Sequence, residues 1–205
     1  TILSENGGDG MKKSTSRTFV FMICFTVLSV VMTALFYVLH RVYGGVFLLS
    51  VCITFLTVSY HFGMRLAVGT AVASFFKKRE FNPDSFFFRI RPFERKLYEK
   101  LCVKKWEKKV ITAQPEMFDL RRNTLGGLLH NMEQAELVHR IIMLLSFVPL
   151  LFIIPFGEPV VFAATSVLAC LADFKFVIIQ RYNRPKVERL IRMQKEREER
   201  RRANA

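Results

Sequence analysis

The stretch Thr18–Leu39, TFVFMICFTVLSVVMTALFYVL, runs 22 residues without a charge, a proline or a glycine. A helix rises about 1.5 Å per residue, so about 20 apolar residues cross the ~30 Å hydrocarbon core of a bilayer. Thr18–Leu39 therefore reads as a membrane-spanning helix. Three more apolar stretches follow, near 46–64, 141–156 and 159–180, each poor in charge. Hydrophobic residues make up 51% of the 205-residue chain while its net charge is +14, and the two properties are segregated along it. The fold class expected is all-α and integral to the membrane. It has about four transmembrane helices, the third either crossing or re-entering, and amphipathic interfacial helices on the cytoplasmic side. One compact unit is the expected organisation, with a flexible tail over 1–17, a membrane domain over 18–185 and a basic C-terminal helix over 186–205. Within the membrane domain, 77–134 reads as a cytoplasmic interfacial segment. Thr1–Gly10 reads as a floppy or appended tail ahead of a natural start at Met11-Lys12-Lys13. The apolar run after that start is too long for a signal peptide and lacks a small-residue cleavage site before His40.

The positive charges orient the spans. Lys12, Lys13 and Arg17 precede the first, and only Arg41 lies in the turn that follows it. Fifteen Lys and Arg lie between Lys77 and Arg140, ten more from Arg181 onward, and none in Gly157-Glu158-Pro159. That alternation places both termini and the central segment in the cytoplasm of a cell membrane. The basic flanks suit anionic headgroups rather than nucleic acid, since no zinc spacing, ribonucleoprotein motif or helix-turn-helix pattern accompanies them. Cys24, Cys52, Cys102 and Cys170 are scattered, without a C-x-x-C pair, so neither a disulfide framework nor a metal site is expected.

Two spans are irregular. Val46 to Phe76 is interrupted only by His61 and Arg65; as one helix it would extend about 46 Å. Either it tilts out of the bilayer, or it breaks near Gly63 or Gly69. Ile141–Phe156 is short and holds Pro149 and Pro155; it begins earlier, near Ala135, or kinks, or forms a hairpin. The fourth span contains Asp173 and Lys175, which should face protein or water rather than lipid. In the central segment a turn signal, Asn82-Pro83-Asp84, precedes Phe86-Phe87-Phe88, and Pro92 opens a helix. Phe93, Leu97, Leu101 and Tyr98, Cys102, Trp106 recur every four residues beside Lys96, Lys100, Lys104 and Lys108, the pattern of a helix in the headgroup layer.

Three constellations bear on chemistry. Glu133, Glu136 and His139 are spaced three apart beside a span, so Glu136 is expected to orient His139 as a general base. Glu136 and His139 also fit the E-x-x-H spacing of di-iron bundles, but no second such pair exists and no metal is expected. His61 and Arg65, four apart, either line a site for a polar lipid or sugar group, or leave Arg65 snorkelling to headgroups. Gln180-Arg181-Tyr182-Asn183-Arg184-Pro185 closes the fourth span with two guanidiniums and two amides suited to phosphate or carboxylate. No histidine is followed four residues later by Asp, and no G-x-S-x-G, H-E-x-x-H or P-loop occurs.

In three blocks the chain resembles the glycosyl-4,4'-diaponeurosporenoate acyltransferases, membrane enzymes that finish a bacterial carotenoid pigment. The blocks are Phe81-Asn82-Pro83 through Phe88-Arg89-Ile90-Arg91-Pro92-Phe93-Glu94 to Val103-Lys104-Lys105-Trp106; Ala135-Glu136-Leu137-Val138-His139; and Gln180 to Pro185. Departures occur at Phe93 (Trp in relatives), Gln134 (Arg), Asn131-Met132 (Glu-Thr), Asp173 (Asn) and Lys175 (Pro). The resemblance implies transfer of a fatty acyl chain to a hydroxyl of a lipid-linked sugar. His139 with Glu136 would take the proton. Arg181, Asn183 and Arg184, with Gln180, would hold the donor head or the oxyanion. Trp106 and Lys105 would seat the interfacial helix at the headgroups. No cofactor is implied, the acyl donor being a substrate. The partners implied are membrane lipid and the lipid-linked acceptor. Two other readings stand beside it, a small membrane methyltransferase and a non-enzymatic lipid-binding or assembly protein.

Overall fold

The computed structural model describes residues 17–76, 86–106, 118–119 and 123–204. The N-terminal tail, the Asn82-Pro83-Asp84 turn and Lys108 lie outside these. Helix α1 spans Arg17–Tyr43 and α2 spans Val46–Phe76. Ser29 is the one buried residue of α1, and Val27, Leu28, Val30 and Val31 are exposed, as suits a helix bathed in lipid. Three of its mid-helix hydroxyls bond back within the helix, Thr26 to the Met22 carbonyl, Ser29 to Phe25 and Thr33 to Ser29, which pairs them within hydrocarbon. Gly44 and Gly45 reverse the chain at φ +68° and +92°, a region that costs other residues strain. The hairpin closes through Phe25 on Phe62 and Phe36 on Phe55. The second span does not break: α2 is continuous through Gly63 and Gly69. Gly63 leaves room for Thr26 of α1, whose methyl would lie 3.7 Å from an added Cβ.

Helix α3 (Pro92–Lys100) and the short α4 (Val103–Trp106) form the interfacial segment. The expected single helix is interrupted at Cys102, which adopts a left-handed φ of 49°. The kink turns Tyr98 and Val103 inward onto Ile178, with Trp106 packed against them, while Lys96, Lys100 and Lys104 stay exposed.

Helix α5 spans Leu125–Leu145, a 3-10 turn covers Val148–Phe152, and α6 is Ile153–Phe156. Together Leu125–Phe156 is long and apolar enough to cross a membrane, which makes four such spans. The third stretch thus starts sixteen residues upstream of Ile141 and kinks at Pro149. Pro149 has no N–H for the Leu145 carbonyl four residues before it, and Tyr60 of α2 donates to that carbonyl instead, at 2.9 Å. Ser50, near the start of α2, donates to Glu158 at 2.6 Å. Glu158 precedes α7 (Pro159–Ala203), so α2 and α7 begin side by side. The third segment therefore runs back beside α2 from the level of Arg65 to that of Ser50 rather than re-entering. Helix α7 continues through Pro185 for 45 residues, about 67 Å, so its charged half extends well beyond any bilayer. Among the described residues there is no strand.

Candidate active site

Helices α2, α5 and α7 enclose a polar centre between apolar walls. Asp173 of α7, 1% exposed, meets a donor on each oxygen, the Arg65 guanidinium on one and the His139 ring on the other. Arg65 of α2 donates to Oδ2, to the Ala169 carbonyl at 3.3 Å and, from its other terminal nitrogen, to the His61 carbonyl at 3.0 Å. His139 of α5 places Nδ1 2.9 Å from Oδ1. An ionised carboxylate only accepts, so Nδ1 carries the proton of this bond, and in the neutral ring Nε2 is then the nitrogen with the free lone pair. The ring is held flat against Phe176, centroids 4.5 Å apart and planes 6° off parallel. His61 is 5% exposed, with Tyr60 edge-on at 5.5 Å, and among the described residues neither ring nitrogen has a hydrogen-bond partner.

The expected orienter of His139 is replaced. Glu136, 0% exposed, faces the guanidiniums of Arg140, Arg181 and Arg184 at 2.6, 2.6 and 3.2 Å. Side chains three apart on a helix point about 60° apart around the axis, enough to give them different neighbours. Arg65 is likewise an interior ion-pair partner rather than a snorkelling cation.

Around Glu136 lies a second cluster, which docks the interfacial segment. Three consecutive carbonyls each receive a different arginine: Phe87 from Arg140 at 2.8 Å, Phe88 from Arg184, and Arg89 from Arg181 at 2.9 Å. Arg140 also lies over the Phe87 ring at 4.3 Å and Arg184 over Phe88 at 5.6 Å. Arg181 holds Glu94 of α3 with two bonds, of 2.7 and 2.6 Å. Glu94 also accepts from the Arg91 amide at 3.0 Å and from the Tyr98 hydroxyl at 2.6 Å. Burial pushes the Glu94 carboxyl up, but hydrogen bonds from Arg181, Tyr98 and the Arg91 amide outweigh it and hold it at about 2. Burial, then the bond to Glu94, pushes the Tyr98 hydroxyl upward. Glu188 adds a third carboxylate, 3.4 Å from Arg184, so three guanidiniums are matched by three acids.

Between α3 and the α5–α7 pair opens a cleft of about 570 Å³, walled by apolar side chains including Phe87, Leu97, Met143 and Phe174, with Arg89, Arg91, Arg140 and Arg181 also in its lining. His139 and Asp173 do not line it, but Met143 and Val177, one turn beyond each, do.

The remaining sequence-selected residues serve the surroundings. Gln180 is buried, and Asn183 accepts from Lys186 at 2.7 Å. The Trp106 indole donates to the Leu101 carbonyl at 2.9 Å, and Lys105 is exposed. Sequence reasoning assigned no site role to Asp173, Glu94 or Arg140. A carboxylate within a span was the available signal for Asp173. Glu94 and Arg140 look like ordinary surface charges until their partners are known.

A multi-pass helical membrane protein with a buried Asp–His pair beside an apolar cleft is the class these features define. The family model described as glycosyl-4,4'-diaponeurosporenoate acyltransferase matches residues 73–193, more than half the chain, and the chain belongs to that family of acyltransferases of carotenoid biosynthesis. All three blocks quoted above lie within the match. No curated protein and no solved structure matches the chain. Membership favours acyl transfer over the methyltransferase and lipid-binding readings.

Proposed function

We propose that the protein moves a fatty acyl chain onto a hydroxyl of a glycosylated isoprenoid, or of a related lipid acceptor, with His139 as general base. The observation that carries this is the 2.9 Å contact of His139 Nδ1 with Asp173, which supports a neutral ring protonated at Nδ1 with Nε2 as the base. The acceptor O–H gives its proton to Nε2 as its oxygen attacks the acyl carbonyl carbon. The tetrahedral oxyanion collapses, the bond to the donor's leaving group breaks, and the imidazolium returns the proton to that group. Asp173 supports the transient cation, and Arg65 holds Asp173 in place through its other oxygen. Arg140 and Arg181 line the cleft with their charges met by Glu136 and Glu94, so they hold its wall in shape for the donor. Glu136 acts through these arginines, as a positioning residue. With Arg184, they also hold the segment that carries Trp106 and Lys105 at the headgroups. His61, with two unengaged ring nitrogens, is suited to hold an acceptor hydroxyl beside Arg65. The acceptor class comes from the family, whose described substrate is a glycosylated carotenoid acid. The excess of Lys and Arg on 77–140 and from Arg181 onward supports cytoplasmic placement of both termini.

His139→Ala is expected to cut transfer by about 10²–10⁴-fold, the usual worth of a positioned base, while the purified protein keeps its melting temperature within a few degrees. Transfer is read as acylated glycolipid by mass spectrometry. Unchanged turnover in that variant would remove His139 from the mechanism.

A further inference from the structure

We infer that His61 of α2 and Ser166 of α7 hold one buried water between them, and that through it Ser166 positions His61, fixing the tautomer that presents an N–H to the acceptor. This rests on the acyl-transfer reading and adds to it how His61 is set. From Thr26 to Thr165, every other serine and threonine within the described spans bonds a carbonyl of its own helix three or four residues back. Ser166 is the exception. It is 0% exposed, and among the described residues its hydroxyl has no partner, as neither ring nitrogen of His61 has. The two stand opposite one another. Ser50 pairs with Glu158 and Arg65 with Asp173, each 108 residues apart, so α2 and α7 run parallel in one register. Position 166 is then level with position 58, about 4.5 Å along the axis from His61. Side chains on a helix lean toward its N-terminus, which carries the His61 ring to that level. Ser146 of α5, 0% exposed, reaches it too, two turns on from His139 as Ser166 is two turns back from Asp173. The hydrogen-bond inventory sets the direction. Ser146 gives its proton to the Ile142 carbonyl at 2.8 Å, so toward the site it only accepts. Ser166 bonds no carbonyl, so it donates into the site. A water that accepts from Ser166 has its two hydrogens for Ser146 and for one His61 nitrogen. That nitrogen is the unprotonated one, and the other carries the N–H that meets the acceptor's oxygen. About three partners are usual for a buried water, and side chains this enclosed admit no lipid chain.

The test is nitrogen NMR of the full chain, purified in detergent with isotope-labelled histidine. The chain has 4 histidines, and the signal lost in His61→Leu belongs to His61. In the parent, that ring should show a single tautomer and receive magnetisation from water. Ser166→Val puts methyl groups in the water's place, so the transfer should disappear. The unprotonated nitrogen should then move to the position of one that accepts no hydrogen bond. Ser166→Ala removes the donor without adding bulk and should move the same signal, which serves where the valine does not fold. An identical His61 spectrum in the parent and Ser166→Ala, or no transfer from water in the parent, would overturn the inference. With glucosyl retinoate as a glycosylated isoprenoid acceptor, Ser166→Ala should raise KM about fivefold, the worth of one neutral hydrogen bond, and leave kcat in place. The change should vanish in a His61→Leu background. A loss of the same size there would separate Ser166 from His61 and overturn the link. Because the spectra need no substrate, a water-bridged His61 in a protein that transfers no acyl chain would reject the acyl-transfer reading alone.

Discussion

A carboxylate among apolar helices is stable only where a cation and hydrogen-bond donors answer it, and Asp173 has Arg65 on one oxygen and His139 on the other. Removing one partner leaves the other charge buried alone. Asp173→Leu is therefore expected to cost about 3–5 kcal/mol, and the Arg65→Leu/Asp173→Leu pair distinctly less than the sum of the singles. Melting temperatures of the three variants read the coupling; strict additivity would mean that the pair is not an energetic unit. His61 poses the opposite case. Among the described residues its ring nitrogens are buried without partners, and an apolar group of similar size there is close to neutral for folding. His61→Leu should match or exceed the parent's melting temperature while raising the KM for the acceptor severalfold. A lower melting temperature with unchanged KM would show the ring to be structural. The candidate residues were legible one by one, since a histidine, an arginine or an acid next to an apolar span stands out. Their pairing was not, because the partners lie 108 residues apart for Arg65 and Asp173, and 34 for His139 and Asp173. Spacing on one helix suggested Glu136 for His139, and a different helix supplied the acid.

At the scale of elements, the prolines show how local chemistry and packing share control. Pro149 and Pro155 announced an irregular third span, but not which group replaces the missing N–H. Tyr60→Phe is expected to cost about 1–3 kcal/mol by leaving the Leu145 carbonyl unpaired. In a Pro149→Ala background, where the amide can close the helix itself, the same change should cost less. Equal costs in both backgrounds, measured by thermal melting, would break the link. Pro185 has a milder effect, since α7 passes through it unbroken, held on one side by Arg181 and Arg184. The length of α2 was legible from its apolar run. Its continuity past Gly63 and Gly69 follows from packing, with α1 against Gly63 and α5 and α7 beyond it.

For the whole molecule, the interfacial segment is joined to the spans through charges, so its docking should depend on pH. Glu94 has an ordinary value of 4.5 and is held at about 2 when docked, so its contribution is complete above about pH 4.5 and is lost as pH falls toward 2. Trp106 is the single tryptophan and packs on the same cluster, so its fluorescence reports the segment's release directly. The emission should shift across that acid window in the parent. In Glu94→Gln, the window's acid-dependent shift should shrink and the segment be looser already at neutral pH. A parent signal that stays flat down to pH 2 would contradict the docking role of Glu94.

The sequence by itself determined the membrane, the number of long apolar stretches and the family, because hydrocarbon thickness sets span length and three ordered motif blocks survive in one dimension. Only the tertiary structure decided that the third stretch runs back beside α2 to the level of Ser50, that Asp173 rather than Glu136 holds His139, and that three arginines clasp three successive carbonyls to form a cleft wall. These depend on which helix face meets which. In a protein whose spans are apolar almost all the way round, that choice is fixed by a few buried charges and their partners rather than by periodicity.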